Sequence, residues 1–324
     1  MRLPAIIYRE AGMSINRIFR RIIQIIIVLF GISFLTFGLT YLAPGDPVSA
    51  MFEAAGISPS EEQIEAVRKS MGLDKPFLAQ YFTWLGNCLQ GDLGESYIMG
   101  HSVASLLGGR IIPTLELSLM SFGVMIVLAV PLGIISAVYQ GKWIDNIIRF
   151  LDFLGISMPG FWLGLLLQYF IALKLKLLPV AASGTGLERM ILPCATLAVA
   201  ITSKYTRQVR AAVIEELNTD YVIGARARGI SWTRILLTHV LPNAMLPLIT
   251  LLGISFGSLL GGTAVVELIF SYPGLGQLAV KAVGSRDYPL IQGFVLWVAL
   301  IYMIMNLIVD ISYSLIDPRV RESR

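Results

Sequence analysis

Five runs of this chain lack any charged side chain over 20–25 residues each: 22–42, 117–141, 153–173, 244–266 and 290–309. The apolar core of a bilayer is about 30 Å thick, and about 20 apolar residues of helix cross it. Lipid offers the backbone no hydrogen-bond partner, so a crossing segment satisfies itself as a helix. Each run is therefore expected to span. A further run, 190–203, has only 14 uncharged residues, a rise of about 21 Å. It crosses only if its helix continues past Lys204 and Arg207, or if Leu187 and its neighbours join. Counting it gives six spans. Only 14% of residues are charged and 56% are hydrophobic, against about 25% charged in soluble domains. The expected fold is an all-α membrane protein with six transmembrane helices and a helical extracytoplasmic insertion between the first and second.

Basic residues set the orientation. Residues 1–21 hold five Arg and one Glu, and 204–240 hold six Lys/Arg. Arg319, Arg321 and Arg324 follow the last run. These segments are expected in the cytoplasm, with 43–111 outside and the loop 174–189 dissenting through Lys174, Lys176 and Arg189. The domain reading is a cytoplasmic N-terminus at 1–21, a first span at 22–42, an outer segment at 43–111, a permease body at 112–316 and a cytoplasmic tail at 317–324. No stripe of Lys/Arg with interleaved aromatics points to nucleic acid. Cys88 and Cys194 fall in different compartments, so no disulfide is expected. His101 and His239 are too far apart for a local metal site. Ionisable residues inside the uncharged runs are nearly absent, with Glu116, Lys204 and Asp310 near ends and Glu267 just beyond one. A self-powered ion-driven carrier, the alternative reading, normally needs such groups at depth. Pro131, Gly133, Pro159, Gly160, Pro193, Pro247, Gly253, Gly261 and Gly262 fit either close packing or a bent, moving bundle.

The outer segment predicts two helices. In 58–76, Ser58 or Ser60 caps a helix whose acids Glu61, Glu62 and Glu65 lead and whose bases Arg68 and Lys69 trail. Gly72 ends it, and a second amphipathic helix runs to about Gly91. Between the spans, 207–242 predicts a basic helix-turn-helix. Asn218 or Asp220 caps a helix starting near Tyr221, Gly229 breaks it, and Ser231 caps a second helix that enters Leu241 and Pro242. Small residues at Gly224, Ala225 and Ala227 allow close approach of another surface. Arg226 and Arg228 offer forked donors.

Here the chain resembles the permease subunits of ATP-binding-cassette (ABC) importers, which carry a cytoplasmic loop of the form E-A-A, three residues, G, nine residues, I-x-L-P. Gly229 matches the glycine, Ala225 the last alanine, and Leu241 and Pro242 the final pair. Ile223, Gly224 and His239 depart from the pattern. "LAPGDP", "MGLDKP", "GDLGES", "PTLELS", "GISMPGFWLG", "GGTAVVELIFSYPGLGQL", "RDYP" and "NLIVDISYSLIDPR" are similar to the first-type permease of the peptide/nickel branch.

The resemblance implies the type I importer permease fold in a bacterial cell membrane. It also implies a second permease, two ATPase subunits below and a substrate-binding protein outside. The second, third and fifth spans are expected to line the path. The coupling residues carried over are Asp220, Tyr221, Ala225, Arg226, Ala227, Arg228, Gly229, Leu241 and Pro242. No G-x-x-x-x-G-K-[ST] occurs in the chain, so ATP and Mg²⁺ are expected on the ATPases and no cofactor on this chain. Peptide, nickel and a nickel chelate all remain open as cargo.

Overall fold

A computed structural model describes residues 15–181 and 186–316. The expected tail and most of the N-terminal segment lie outside them. Among the described residues every element is helical: α1 Ile15–Leu42, α2 Pro47–Ala54, α3 Glu61–Ser70, α4 Phe77–Leu89, α5 Val103–Val138, α6 Trp143–Ser157, α7 Gly160–Leu167, α8 Glu188–Leu217, α9 Asp220–Ala227, α10 Trp232–Ile235, α11 Leu241–Ile269, α12 Leu275–Ser285 and α13 Tyr288–Ile316. Short π-helical segments, Gln168–Lys174 and Leu236–Val240, follow α7 and α10.

The long helices follow the uncharged runs but overrun them. By length and composition three are able to cross a membrane, Phe19–Leu42, Val103–Val138 and Tyr288–Ile308, or up to five if two bent pairs each count as one. α5 begins at Val103 because Ser102 is its N-cap, accepting the Ser105 amide at 3.2 Å. The expected third span is not one rod. It starts at Trp143, ten residues ahead of the uncharged run, and α6 and the α7 segment meet at 101°. The cause is Pro159: the residue before a proline is driven out of the α region, and Met158 is extended at φ −86°, ψ 125°. α8 does continue past Lys204 and Arg207, to Leu217, and is 30 residues long in all, a rise of about 45 Å.

α8 is the spine of the bundle, packed against α5, α6, α7 and α11. Gly133 lets α5 cross it closely, since a Cβ there would lie 2.6 Å from Val209 Cβ. Gly155 of α6 rests likewise on Ser203. Three apolar clusters stack along the bundle. One, at the α9 end, joins Ala129 and Ala137, Val209 and Val213, and Ala244 and Leu248. The second centres on Leu117, Leu192, Leu197, Leu259 and Phe270. The third, at the far end, joins Val103 and Leu107 to Leu278 and Leu290. α1 stands outside all three and leaves Ile26, Leu35 and Leu39 exposed, as a lipid-facing helix does.

The insertion between α1 and α5 has its own fastenings. Ser60 and Gln63 form a reciprocal capping box at the start of α3, which satisfies two otherwise orphaned amides. Asp46 caps α2 through the Ser49 amide and hydroxyl and pairs with Arg68 at 3.1 Å. Partial burial opposes ionisation there, but the Ser49 contacts and Arg68 hold its carboxyl below the usual range. α4 lies on α1 through edge-to-face contacts of Tyr81 and Phe77 with Phe34 at 5.2 and 5.6 Å.

At the far end, three buried polar side chains tie separate elements together. Asp287 accepts from the Ser96 hydroxyl and, at 3.1 Å, from the Tyr97 amide. Gln292 donates to Thr40 at 2.7 Å. Glu267, the residue after the uncharged run, lies inside α11 and is fully buried. It accepts the Thr114 hydroxyl at 2.8 Å and the Gln277 amide at 3.0 Å, a carboxylate at the electropositive start of α12.

Candidate coupling elbow

The turn between α8 and α11 is built from its backbone outward. Thr219, extended at φ −76°, ψ 152°, takes the N-cap position of α9. Neither expected cap residue occupies it: Asn218 closes α8 by donating to the Ile214 carbonyl at 3.0 Å, and Asp220 sits in the first turn of α9. There its charge suits the helix dipole. α9 ends as the sequence predicts. Gly229 is left-handed at φ +77°, its amide donates to the Arg226 carbonyl at 2.9 Å, and the Ile230 amide donates to the Ala225 carbonyl at 3.3 Å. Those two bonds form a Schellman motif, which favours glycine at the left-handed position. Ser231 then precedes α10 as its N-cap, without a side-chain bond. Pro242 has no amide to continue the α-helical ladder, and the chain reaches Leu241 and Pro242 through the π-helical segment.

One face of the elbow points inward. Val222 and Ala225 of α9, Ile235 of α10 and Val240 are all buried, in the same cluster as Ala137, Val209 and Val213. α5, α8 and α11 therefore share an apolar core with the elbow. The small residues divide accordingly. Ala225 is only 1% exposed and packs inward, so it offers nothing to another surface, whereas Ala227 and Gly229 are exposed. The outer face also carries Tyr221, Ile223, Arg226, Arg228, Trp232 and Leu237. Leu241 is half-buried and Pro242 exposed, at the exit into α11. The structure thus gathers Asp220 to Gly229 on one knob and leaves Leu241 and Pro242 at its root.

Several members of this site carry no motif. The Arg226 guanidinium lies over the Trp232 ring, 4.1 Å from its centroid, bracing α9 on α10 across the glycine turn. A cation on an aromatic face is worth about 0.5–1 kcal/mol when exposed. The Tyr221 hydroxyl donates to Glu216 at 2.6 Å and lies 3.4 Å from Asn243 Nδ2, which donates to the His239 carbonyl at 2.9 Å. Partial burial, and then the bond to Glu216, raise the Tyr221 phenol above its ordinary value, so it stays a donor. Behind the elbow, Asp145 of α6 is fully buried and takes both Arg210 Nε and Nη2, at 2.8 and 2.9 Å. It also accepts the Ser136 hydroxyl at 2.5 Å and the Gly141 amide at 2.9 Å. Asp152, two turns on, is buried with Oδ2 unpartnered. Buried carboxylates are therefore present, and their supposed scarcity does not by itself exclude an ion-driven carrier.

The comparisons with known proteins supply that exclusion. A family model described as "binding-protein-dependent transport system inner membrane component" matches residues 129–322, and its N-terminal companion matches 14–118. The chain belongs to this family. The permease is 38% identical over 307 residues to the glutathione transport system permease protein GsiC of Escherichia coli strain K12, covering 95% of this chain and 99% of that one. The GsiC protein of Shigella dysenteriae is equally similar. Among solved structures, an inward-facing MetNI methionine ABC transporter chain matches with a TM-score of 0.54 at 19% identity, over 65% of this permease and 96% of that chain. The permease is thus a subunit of an ABC importer in the inner membrane, and works with partner permease, ATPase and binding-protein subunits.

Proposed function

We propose that the elbow is where this permease takes up the work of ATP hydrolysis. Its exposed face, from Asp220 to Gly229, seats in a cleft of one of two cytoplasmic ATPases. Its buried face passes the movement into α5, α8 and α11. The observation that carries this reading is the shared core: Val222, Ala225, Ile235 and Val240 belong to one apolar cluster with buried residues of all three long helices. In this reading the elbow and both termini are cytoplasmic, and the α2–α4 insertion is extracytoplasmic, near a substrate-binding protein. A second, related permease completes the path, and ATP and Mg²⁺ stay on the ATPases.

Short peptides are the cargo this reading favours, since the similarity to glutathione permeases extends over 95% of the chain. Nickel, free or chelated, is the other arm of the test. Gly229→Trp adds a side chain where open space is available but the backbone is left-handed. It is expected to leave membrane insertion and assembly intact and to abolish cargo-stimulated ATP hydrolysis. Unchanged stimulation would remove the elbow from the coupling path. Uptake into proteoliposomes of radiolabelled glutathione, a dipeptide and ⁶³Ni²⁺ then separates the cargo classes.

A further inference from the structure

α6 is amphipathic in the sense opposite to a helix at a water surface. Its two acids, Asp145 and Asp152, are buried together with Ile148 and Gly155. The other side leaves Trp143, Ile147, Phe150 and Leu154 exposed. A helix facing water buries its apolar stripe and shows its charges, so the outward side of α6 is built for an apolar neighbour.

Two cations interrupt that side. Lys142, the N-cap residue, and Arg149 are both exposed. Seven residues return a helix to within about 20° of its starting direction, so the two lie on one side, about 10 Å apart along the axis. Neither pairs with an acid among the described residues. The acids of α6 are turned inward, and Asp145 is held by Arg210 at 2.8 Å. The exposed side of the helix therefore carries positive charge alone. Exposed Tyr139 and Trp143 bracket Lys142, whose Nζ lies 5.4 Å from the Tyr139 ring centroid. Tyrosine and tryptophan collect at the headgroup level of a bilayer. Asp145 ties this start of α6 to Ser136 and Arg210, whose neighbours Ala137 and Val209 belong to the cluster beneath the elbow. The cations therefore stand at the elbow end of the bundle.

We propose that this side of α6 binds an anionic phospholipid. Its phosphate rests between Lys142 and Arg149, beside Trp143, and its acyl chains run along Ile147, Phe150 and Leu154. Such a lipid supplies the negative charge and the apolar surface that the side lacks. The inference depends neither on the elbow's coupling role nor on which cargo is carried.

The test uses the assembled importer in nanodiscs of equal phosphatidylglycerol and phosphatidylcholine. Ile147→p-benzoylphenylalanine crosslinks adjacent molecules under light, and mass spectrometry counts the adducts. A cation at a membrane surface attracts an anionic lipid about fivefold, so two predict an excess of phosphatidylglycerol adducts of about 25-fold. Adding Lys142→Gln or Arg149→Gln should leave about fivefold, and both together about none. Lys142→Arg and Arg149→Lys should retain the excess, and high salt should shrink it. The same photoreactive residue at Leu35, exposed on α1, should label both lipids equally. Basal ATP hydrolysis at the wild-type rate verifies that each variant is folded. Four results overturn the proposal: equal labelling of the two lipids at position 147; an excess at position 35 as large as that at 147; an excess that survives the double glutamine variant; or crosslinks to a partner subunit in place of lipid, which would make this side of α6 a protein interface.

Discussion

Arg210 commits two nitrogens to Asp145, and Asp145 spends both oxygens on Arg210, Ser136 and Gly141. Removing one member of such a buried pair strands the other, at a cost of about 3–5 kcal/mol. Asp145→Ala is therefore expected to lower the melting temperature of the purified permease markedly. The Asp145→Ala, Arg210→Ala double variant should lose less than the sum of the single variants, as coupled neighbours do. Additive losses would show that the pair does not act as a unit.

A second prediction at this scale concerns the half-buried Cys88 thiol. Burial, and then the nearby Asp92 carboxylate, push it up to about 11. The reactive form is the thiolate, and a raised pKa keeps that form scarce. Alkylation of Cys88 by iodoacetamide should be slow at pH 8 and rise about tenfold per pH unit towards pH 10, without levelling off. A plateau near pH 9 would mean an ordinary, exposed thiol.

Among the elements, α3 and α9 were the most legible, for different reasons. Every determinant of α3 is local: the serine cap, the leading acids, the trailing bases and the stop at Gly72, which is left-handed at φ +67°. For α9 the motif spacing identified the glycine turn, but not the inward direction of Ala225. That direction follows from Val222 and Ala225, three residues apart and therefore on one face, meeting a core assembled from distant helices. The third run was misread because Asp145, Arg149 and Asp152 interrupt the hydropathy that marks a span. Asp145 and Asp152 are nonetheless buried, and Asp145 answers to Arg210, 65 residues away. No local pattern announces such a partner.

Two element-scale tests follow. Pro159→Ala frees Met158 to become helical. The 101° bend between α6 and the α7 segment should then open, read as a longer distance between spin labels at Trp143 and Lys174. An unchanged distance would assign the bend to packing and not to the proline. Gly229→Ala places a Cβ in the left-handed region, at about 1–2 kcal/mol. It should speed amide exchange at Ile230 and at position 229, whose amide bonds close α9. Unaltered exchange there would mean that the turn does not depend on glycine.

At the scale of the whole molecule, the elbow and the bundle are expected to move as one body. The apolar cluster beneath α9 and α10 draws on α5, α8 and α11 together, and tightly packed cores resist gradual deformation. In the proposed coupling, a push on the exposed face of the elbow would reorient the long helices. The insertion stands at the opposite end, fixed to α1 through its aromatic contacts and to α13 through Asp287, and so moves with the helices it rests on.

The most direct measurement places spin labels at the exposed positions Glu215 of α8 and Thr233 of α10, with Cys88 and Cys194 replaced. The distance between them is then recorded by pulsed EPR in the assembled importer, without nucleotide and with ATP trapped. One narrow distance is expected, the same in both states, while cargo uptake continues. A distance that shifts or broadens on ATP binding in a transporting complex would contradict it.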